Sequence, residues 1–107
     1  MKILAVTACP SGVAHTYMAA EALTKAAKQK GHTIKVETQG SIGIENAITA
    51  EDVADADIVV LTKDMAIKNR ERFAGKPIIN IGVGDVVRKA DLIVAKAEEV
   101  VAQKDQK

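Results

Sequence analysis

The chain has 107 residues, 48% of them hydrophobic, with 15 basic against 14 acidic side chains and a formal charge of +1. That length supports one domain over residues 1–107, and near-neutral charge with only Tyr17 and Phe73 as aromatics excludes the basic field and stacking platforms that nucleic acid needs. A single cysteine excludes an internal disulfide, and no apolar run reaches the roughly 20 residues of a membrane span or resembles a signal peptide, so the expected place is the cytoplasm, without direct membrane insertion.

Residues 2–8 are apolar and partly β-branched, the pattern of a strand buried on both faces. Pro10 and Gly12 break it. From there Val13, Tyr17, Met18, Ala22, Leu23, Ala26 and Ala27 recur at helical spacing, which predicts a helix over 13–29 with Gly31 as its stop. Residues 33–38 alternate, Ile34 and Val36 against Lys35 and Glu37, and read as an edge strand exposed on one side. Thr49 and Asp52 have capping-box spacing for a short helix over 50–55. Two more apolar strands follow at 57–62 and 77–81. Val86, Val87, Ala90, Ile93, Val94, Ala97, Val100 and Val101 then keep a helical period over 85–102, ahead of a polar tail at 103–107.

Alternating strands and helices define an α/β fold: an open four-stranded parallel sheet with helices on both faces, Rossmann-like or flavodoxin-like. With the alternating strand at the edge, the simplest order is 2-1-3-4. That order puts a switch point between the first and third strands, where open sheets bind ligands.

Cys9 lies where the first strand gives way to the first helix. A helix start leaves roughly four N–H groups without intrahelical partners, and the helix dipole adds about half a positive charge. Pro10, Ser11, Gly12, Val13, Ala14, His15 and Thr16 therefore form a candidate phosphate-binding loop. Gly12 leaves room for an oxygen to approach the backbone. The same field lowers a thiol from its reference pKa of about 8.5 and supplies a nucleophile near neutral pH. The plainer reading of Cys9 is a small buried hydrophobe; its position at a strand end favours chemistry. Thr16 has a hydroxyl to give to phosphate or to spend within the turn.

The segment Cys9-Pro10-Ser11-Gly12-Val13-Ala14-His15-Thr16-Tyr17-Met18-Ala19-Ala20-Glu21-Ala22-Leu23 closely resembles the active-site segment of the fructose-family enzyme IIB component of the bacterial phosphoenolpyruvate-dependent sugar phosphotransferase system. Residues 37–43 (Glu-Thr-Gln-Gly-Ser-Ile-Gly), Asp55-Ala56-Asp57 and Arg72-Phe73-Ala74-Gly75-Lys76-Pro77 resemble further family segments in the same order. Ser11 and Val13 stand where many relatives have Thr and Ile. The resemblance implies that Cys9 takes phosphate from a phosphohistidine on an enzyme IIA partner and passes it to a fructose-like sugar bound by a membrane enzyme IIC. It implies no cofactor beyond the transient phosphocysteine, and no metal.

His15 sets this loop apart from the Cys-x5-Arg loop of tyrosine phosphatases, which carries arginine six positions after the cysteine. Histidine lacks the bidentate fork of arginine, so weak hydrolysis and efficient handover are expected. Its plain alternative is a first-turn residue bonded to backbone. Among weaker signals, Gln39 borders the expected crevice. Asp64 has the chemistry of an acid or base but also suits a turn. Met65, Ala66 and Ile67 offer an apolar patch rimmed by Lys63, Lys68, Arg70, Arg72 and Lys76, a possible partner surface or simply a solvated one. Gly40, Gly43, Gly82 and Gly84 lack the spacing of a dinucleotide fingerprint. A small cysteine phosphatase and a flavodoxin-like binding module remain the competing functions.

Overall fold

The computed structural model describes residues 1–8, 13–40, 43–63 and 66–105. Strands β1 (Lys2–Ala8), β2 (Thr33–Gly40), β3 (Gly43–Glu45), β4 (Ile58–Thr62) and β5 (Ile78–Ile81) alternate with helices α1 (Val13–Gln29), α2 (Ala50–Asp55) and α3 (Val83–Asp105), and a 3-10 helix spans Arg70–Phe73. The five-stranded sheet runs β3-β2-β1-β4-β5. β1 pairs in parallel with β2 from Lys2↔Thr33 to Ala8↔Gln39, and with β4 from Ile3↔Ile58 to Val6↔Leu61.

The expectation of four strands is therefore corrected. β3 pairs antiparallel outside β2, from Thr38↔Glu45 to Gly40↔Gly43. A strand of three residues is too short to carry a readable alternation, and it displaces the last part of β2 from the edge.

Side-chain alternation along the central strands divides the core. Ile3, Ala5, Val36, Ile58, Val60 and Ile79 face α1 and α3, which contribute Ala19, Leu23, Ala26, Ala27, Val86, Ile93, Val94 and Ala97. Leu4, Val6, Val59 and Leu61 face the opposite way, against Ile48, Val53, Ala56 and Phe73. β1 is thus covered on both faces, as its unbroken apolar run requires. Each large side chain so buried contributes about 1.5–3 kcal/mol before the entropy of ordering is set against it.

Helix ends follow their local chemistry. The Thr49 side chain accepts from the Asp52 N–H while the Asp52 carboxylate accepts from the Thr49 N–H, a complete capping box. After α1, Gly31 adopts φ +78°, the left-handed turn that glycine allows without a Cβ clash. α3 begins at Val83 and bends at Lys89, whose φ −130° and ψ 33° depart from helical values.

The apolar face expected on α1 is shifted. Thr16, Ala19, Leu23, Ala26 and Ala27 are buried, whereas Tyr17 and Met18 are exposed. Periodicity cannot separate two adjacent registers of a helix rich in alanine. Here packing against α3 selects the buried one.

Candidate functional site at the strand ends

The C-terminal ends of β1, β2 and β4 meet at Ala8, Gln39 and Thr62. Cys9, Pro10, Ser11 and Gly12 lie outside the described residues, as do Asp64 and Met65. For Val13, Ala14 and His15 the structure describes the helical backbone of the first turn of α1. The N–H groups of that turn have no intrahelical acceptor, so this end of α1 favours an anion.

Thr16 completes the turn. It is 1% exposed, and its hydroxyl has no hydrogen-bond partner among the described residues. Its carbonyl accepts from the Thr7 hydroxyl at 3.1 Å, which ties the end of β1 to the start of α1. On the other side of β1, Thr62 Oγ1 accepts the Ala8 N–H at 2.9 Å and donates to the Ala8 carbonyl at 3.1 Å.

β2 supplies a charged network that the alternation pattern misassigned. Glu37, expected on a solvent face, is fully buried. Its carboxylate accepts from Arg72 Nη1 at 2.7 Å and Nη2 at 2.6 Å, from the Ile48 N–H at 2.8 Å and from Gln39 Nε2 at 2.7 Å. Burial pushes the Glu37 carboxyl up, but the donors and the guanidinium charge outweigh burial and hold it below the ordinary carboxylate value. Arg72 also donates to the Ile48 carbonyl at 3.0 Å and lies over the Phe73 ring, 4.6 Å from its centroid.

Gln39 pairs with the main chain of Lys68. Its Oε1 accepts the Lys68 N–H at 2.9 Å, and its Nε2 donates to the Lys68 carbonyl at 3.2 Å. The register sets Gln39 opposite Ala8.

The proposed basic rim is thinner than expected. Arg72 is taken up by Glu37, and Lys76 donates to the Ala54 and Ala56 carbonyls at the end of α2. Lys63, Lys68 and Arg70 remain exposed, beside the exposed Ala66 and the half-buried Ile67. At the other margin Tyr17 donates its hydroxyl to Glu45, and that bond raises the Tyr17 pKa. A groove of about 790 Å³ lies lower, between α1 and the first half of β2, lined in part by Lys25, Lys28 and Ile34. It does not include the strand ends.

Sequence reasoning missed Glu37, Thr7 and Thr62. A carboxylate inside a strand, with an arginine far along the chain, was the available signal for the first. A threonine closing an otherwise apolar strand was the signal for the last.

An open, mostly parallel sheet, a helix start facing the end of its central strand and a buried hydroxyl there with no partner among the described residues define an α/β domain suited to holding an anionic group. Comparison with known proteins makes that class specific. The family model for the phosphotransferase system (PTS) lactose/cellobiose-specific IIB subunit matches residues 4–104. The chain is 67% identical over 102 residues to "PTS system fructose-like EIIB component 2" of Escherichia coli K12, covering 95% of this chain and 96% of that one. It is 46% identical over 98 residues to the "Fructose-like PTS system EIIBC component" of the same organism, covering 90% of this chain and 20% of that longer protein. The solution structure of an enzyme IIB subunit from Escherichia coli K12 superposes with a TM-score of 0.89 at 39% identity, covering 97% and 96% of the two chains. The chain belongs to the IIB family of the sugar phosphotransferase system and is a phosphotransfer relay component of sugar uptake.

Proposed function

We propose that Cys9 is the residue that carries phosphate in this relay, that the donor is a phosphohistidine on an enzyme IIA, and that the acceptor is a fructose-like sugar held by a membrane enzyme IIC. The cysteine thiolate attacks phosphorus in line, the P–N bond of the donor breaks as the S–P bond forms, and the histidine keeps the electron pair. The S–P bond then breaks as a sugar hydroxyl oxygen takes the phosphoryl group, the sulfur keeping the electron pair as thiolate and the hydroxyl proton leaving to water. In both steps charge spreads over the equatorial oxygens, and the N–H groups of the first turn of α1, which lack intrahelical acceptors, would receive it. Ser11 and Gly12 belong to the same proposed cradle.

The buried Thr16 hydroxyl carries this reading. An unpaired polar atom away from water costs about 1–3 kcal/mol, and a phosphoryl oxygen at the start of α1 would supply the acceptor that this hydroxyl lacks among the described residues. The fructose-like names of the relatives support the sugar class. The fusion of a IIB segment into a EIIBC protein supports the membrane partner. Among the described residues no helix is long and apolar enough to cross a membrane.

The test is intact-mass measurement after mixing the protein with phosphoenolpyruvate, the two general phosphotransferase proteins and a fructose-type enzyme IIA. One phosphate should be added to the native chain and none to Cys9→Ala. Retention of the added phosphate in the variant would remove Cys9 from its assigned role. Sustained turnover of a chromogenic phosphate ester, lost in Cys9→Ser, would favour a phosphatase instead.

A further inference from the structure

We propose that Thr62 is a positioning residue for phosphoryl transfer: its hydroxyl fixes the residue from which the Cys9 loop departs. This inference rests on Cys9 as the phosphate carrier. The register between β1 and β4 ends at Val6↔Leu61. Ala8 lies two residues further on, and the Thr62 side chain takes over there, accepting the Ala8 N–H and donating to the Ala8 carbonyl.

A hydroxyl has one hydrogen and two lone pairs, so one threonine can hold both backbone polar groups of one residue. Thr62 is 2% exposed and Ala8 is fully buried, so bulk water cannot replace either bond. The clamp is itself fixed. Thr62 pairs with Ile81 of β5 through the ladder, and a β-branched side chain has few χ1 choices.

The consequence falls on the residue that follows. With Ala8 held by Thr62 and the Thr16 carbonyl held by Thr7, the chain is tethered on both sides of residues 9–12. In-line transfer depends on the nucleophile standing at the right distance and angle, and a misplacement of about 1 Å can cost about 100-fold. Thr62→Val keeps the branched shape but removes both bonds and leaves the Ala8 N–H and carbonyl unpaired. Thr62→Ser keeps the hydroxyl.

Rapid-quench measurement of phosphate transfer from phosphorylated enzyme IIA should show the maximal rate for Thr62→Val reduced about 10- to 100-fold, with KM for the donor unchanged. Thr62→Ser should recover most of the rate. A parallel pH profile of iodoacetamide alkylation reads the Cys9 thiol without any phosphate, and its midpoint should move in Thr62→Val and return in Thr62→Ser. Native rates in folded Thr62→Val, or a serine variant as slow as the valine one, would overturn the proposal. Should the valine variant not fold, hydrogen exchange in the native protein still decides: a protected Ala8 amide is expected, and one exchanging as fast as an unbonded amide refutes the clamp. If phosphate proves to sit elsewhere than Cys9, the carrier reading fails, while the alkylation profile still reports separately whether Thr62 positions that thiol.

Discussion

The two ends of the sheet handle polar groups in opposite ways. At the N-terminal ends of the strands charged and polar groups pair near solvent. His32 and Lys30 meet Glu98 at 2.9 and 3.4 Å, Lys2 and Lys35 meet Asp52 at 3.6 and 2.7 Å, and the Met1 amino group lies 3.3 Å from His32 Nδ1. At the C-terminal ends the polar groups are inside. Glu37, Gln39, Thr7, Thr16 and Thr62 are all buried. Ion pairs near water contribute little because water already solvates both partners and salt screens them. A buried carboxylate that loses its partner has no such refuge. One end of the sheet is therefore tolerant, and the end that carries the site is not.

Breaking the inner network should have the largest effect. Arg72→Met leaves Glu37 buried with its guanidinium gone and should lower the unfolding free energy by about 3–5 kcal/mol, read from the midpoint of urea denaturation. Adding Glu37→Gln to that variant should restore part of the loss, because the stranded charge is removed. A loss below about 1 kcal/mol for Arg72→Met alone would place the network with ordinary surface pairs.

Acid should have the next largest effect. Glu37 has its carboxyl held below the ordinary value of 4.5 by Arg72 and its other donors, against the opposing push of burial. The unfolded chain therefore takes up this proton first as pH falls. The stabilisation is complete above the ordinary value and is lost as pH drops through the lower native one. Denaturation midpoints followed from pH 6 downward should decline more steeply in the native protein than in Glu37→Gln; parallel curves would contradict this.

The smallest effect is expected at the tolerant end. The Glu98 carboxyl is held below its ordinary value chiefly by the hydrogen bond to His32, with burial pushing the other way and Lys30 adding to the lowering. Glu98→Gln should leave the thermal midpoint within error of the native one at physiological salt. A clear drop would mean that this end of the sheet also depends on its charges.

Much of this architecture was legible because local signals agreed with one another. The apolar run of β1, the switch to helical spacing after Gly12 and the Thr49–Asp52 capping box all depend on neighbours in sequence. The errors share a different cause. Glu37 was placed toward solvent because alternation treats every charge as outward, whereas its acceptor sites are filled by Ile48 and Arg72, the latter 35 residues away. Arg72 and Lys76 read as part of a surface rim because their acceptors, the Glu37 carboxylate and the Ala54 and Ala56 carbonyls, are distant in sequence and cannot be read from composition. Tyr17 and Met18 were placed in the core because an alanine-rich helix offers more than one acceptable face. Of the candidate site, the strand-to-helix junction was readable, but the hydroxyl tethers around it join residues of separate elements, Thr7 of β1 to Thr16 of α1 and Thr62 of β4 to Ala8 of β1, and become visible only once the fold is known.

The pairing of Gln39 with Lys68 has a consequence for how such a surface can change over time. At position 68 Gln39 meets only the backbone amide and carbonyl, and both are present for every residue except proline, which lacks the N–H. The rim beside the strand ends thus has a fixed address and a replaceable content. Exchange of the side chain at 68 therefore changes the surface beside the strand ends, while the backbone that displays it stays bonded to Gln39 and in register with Ala8.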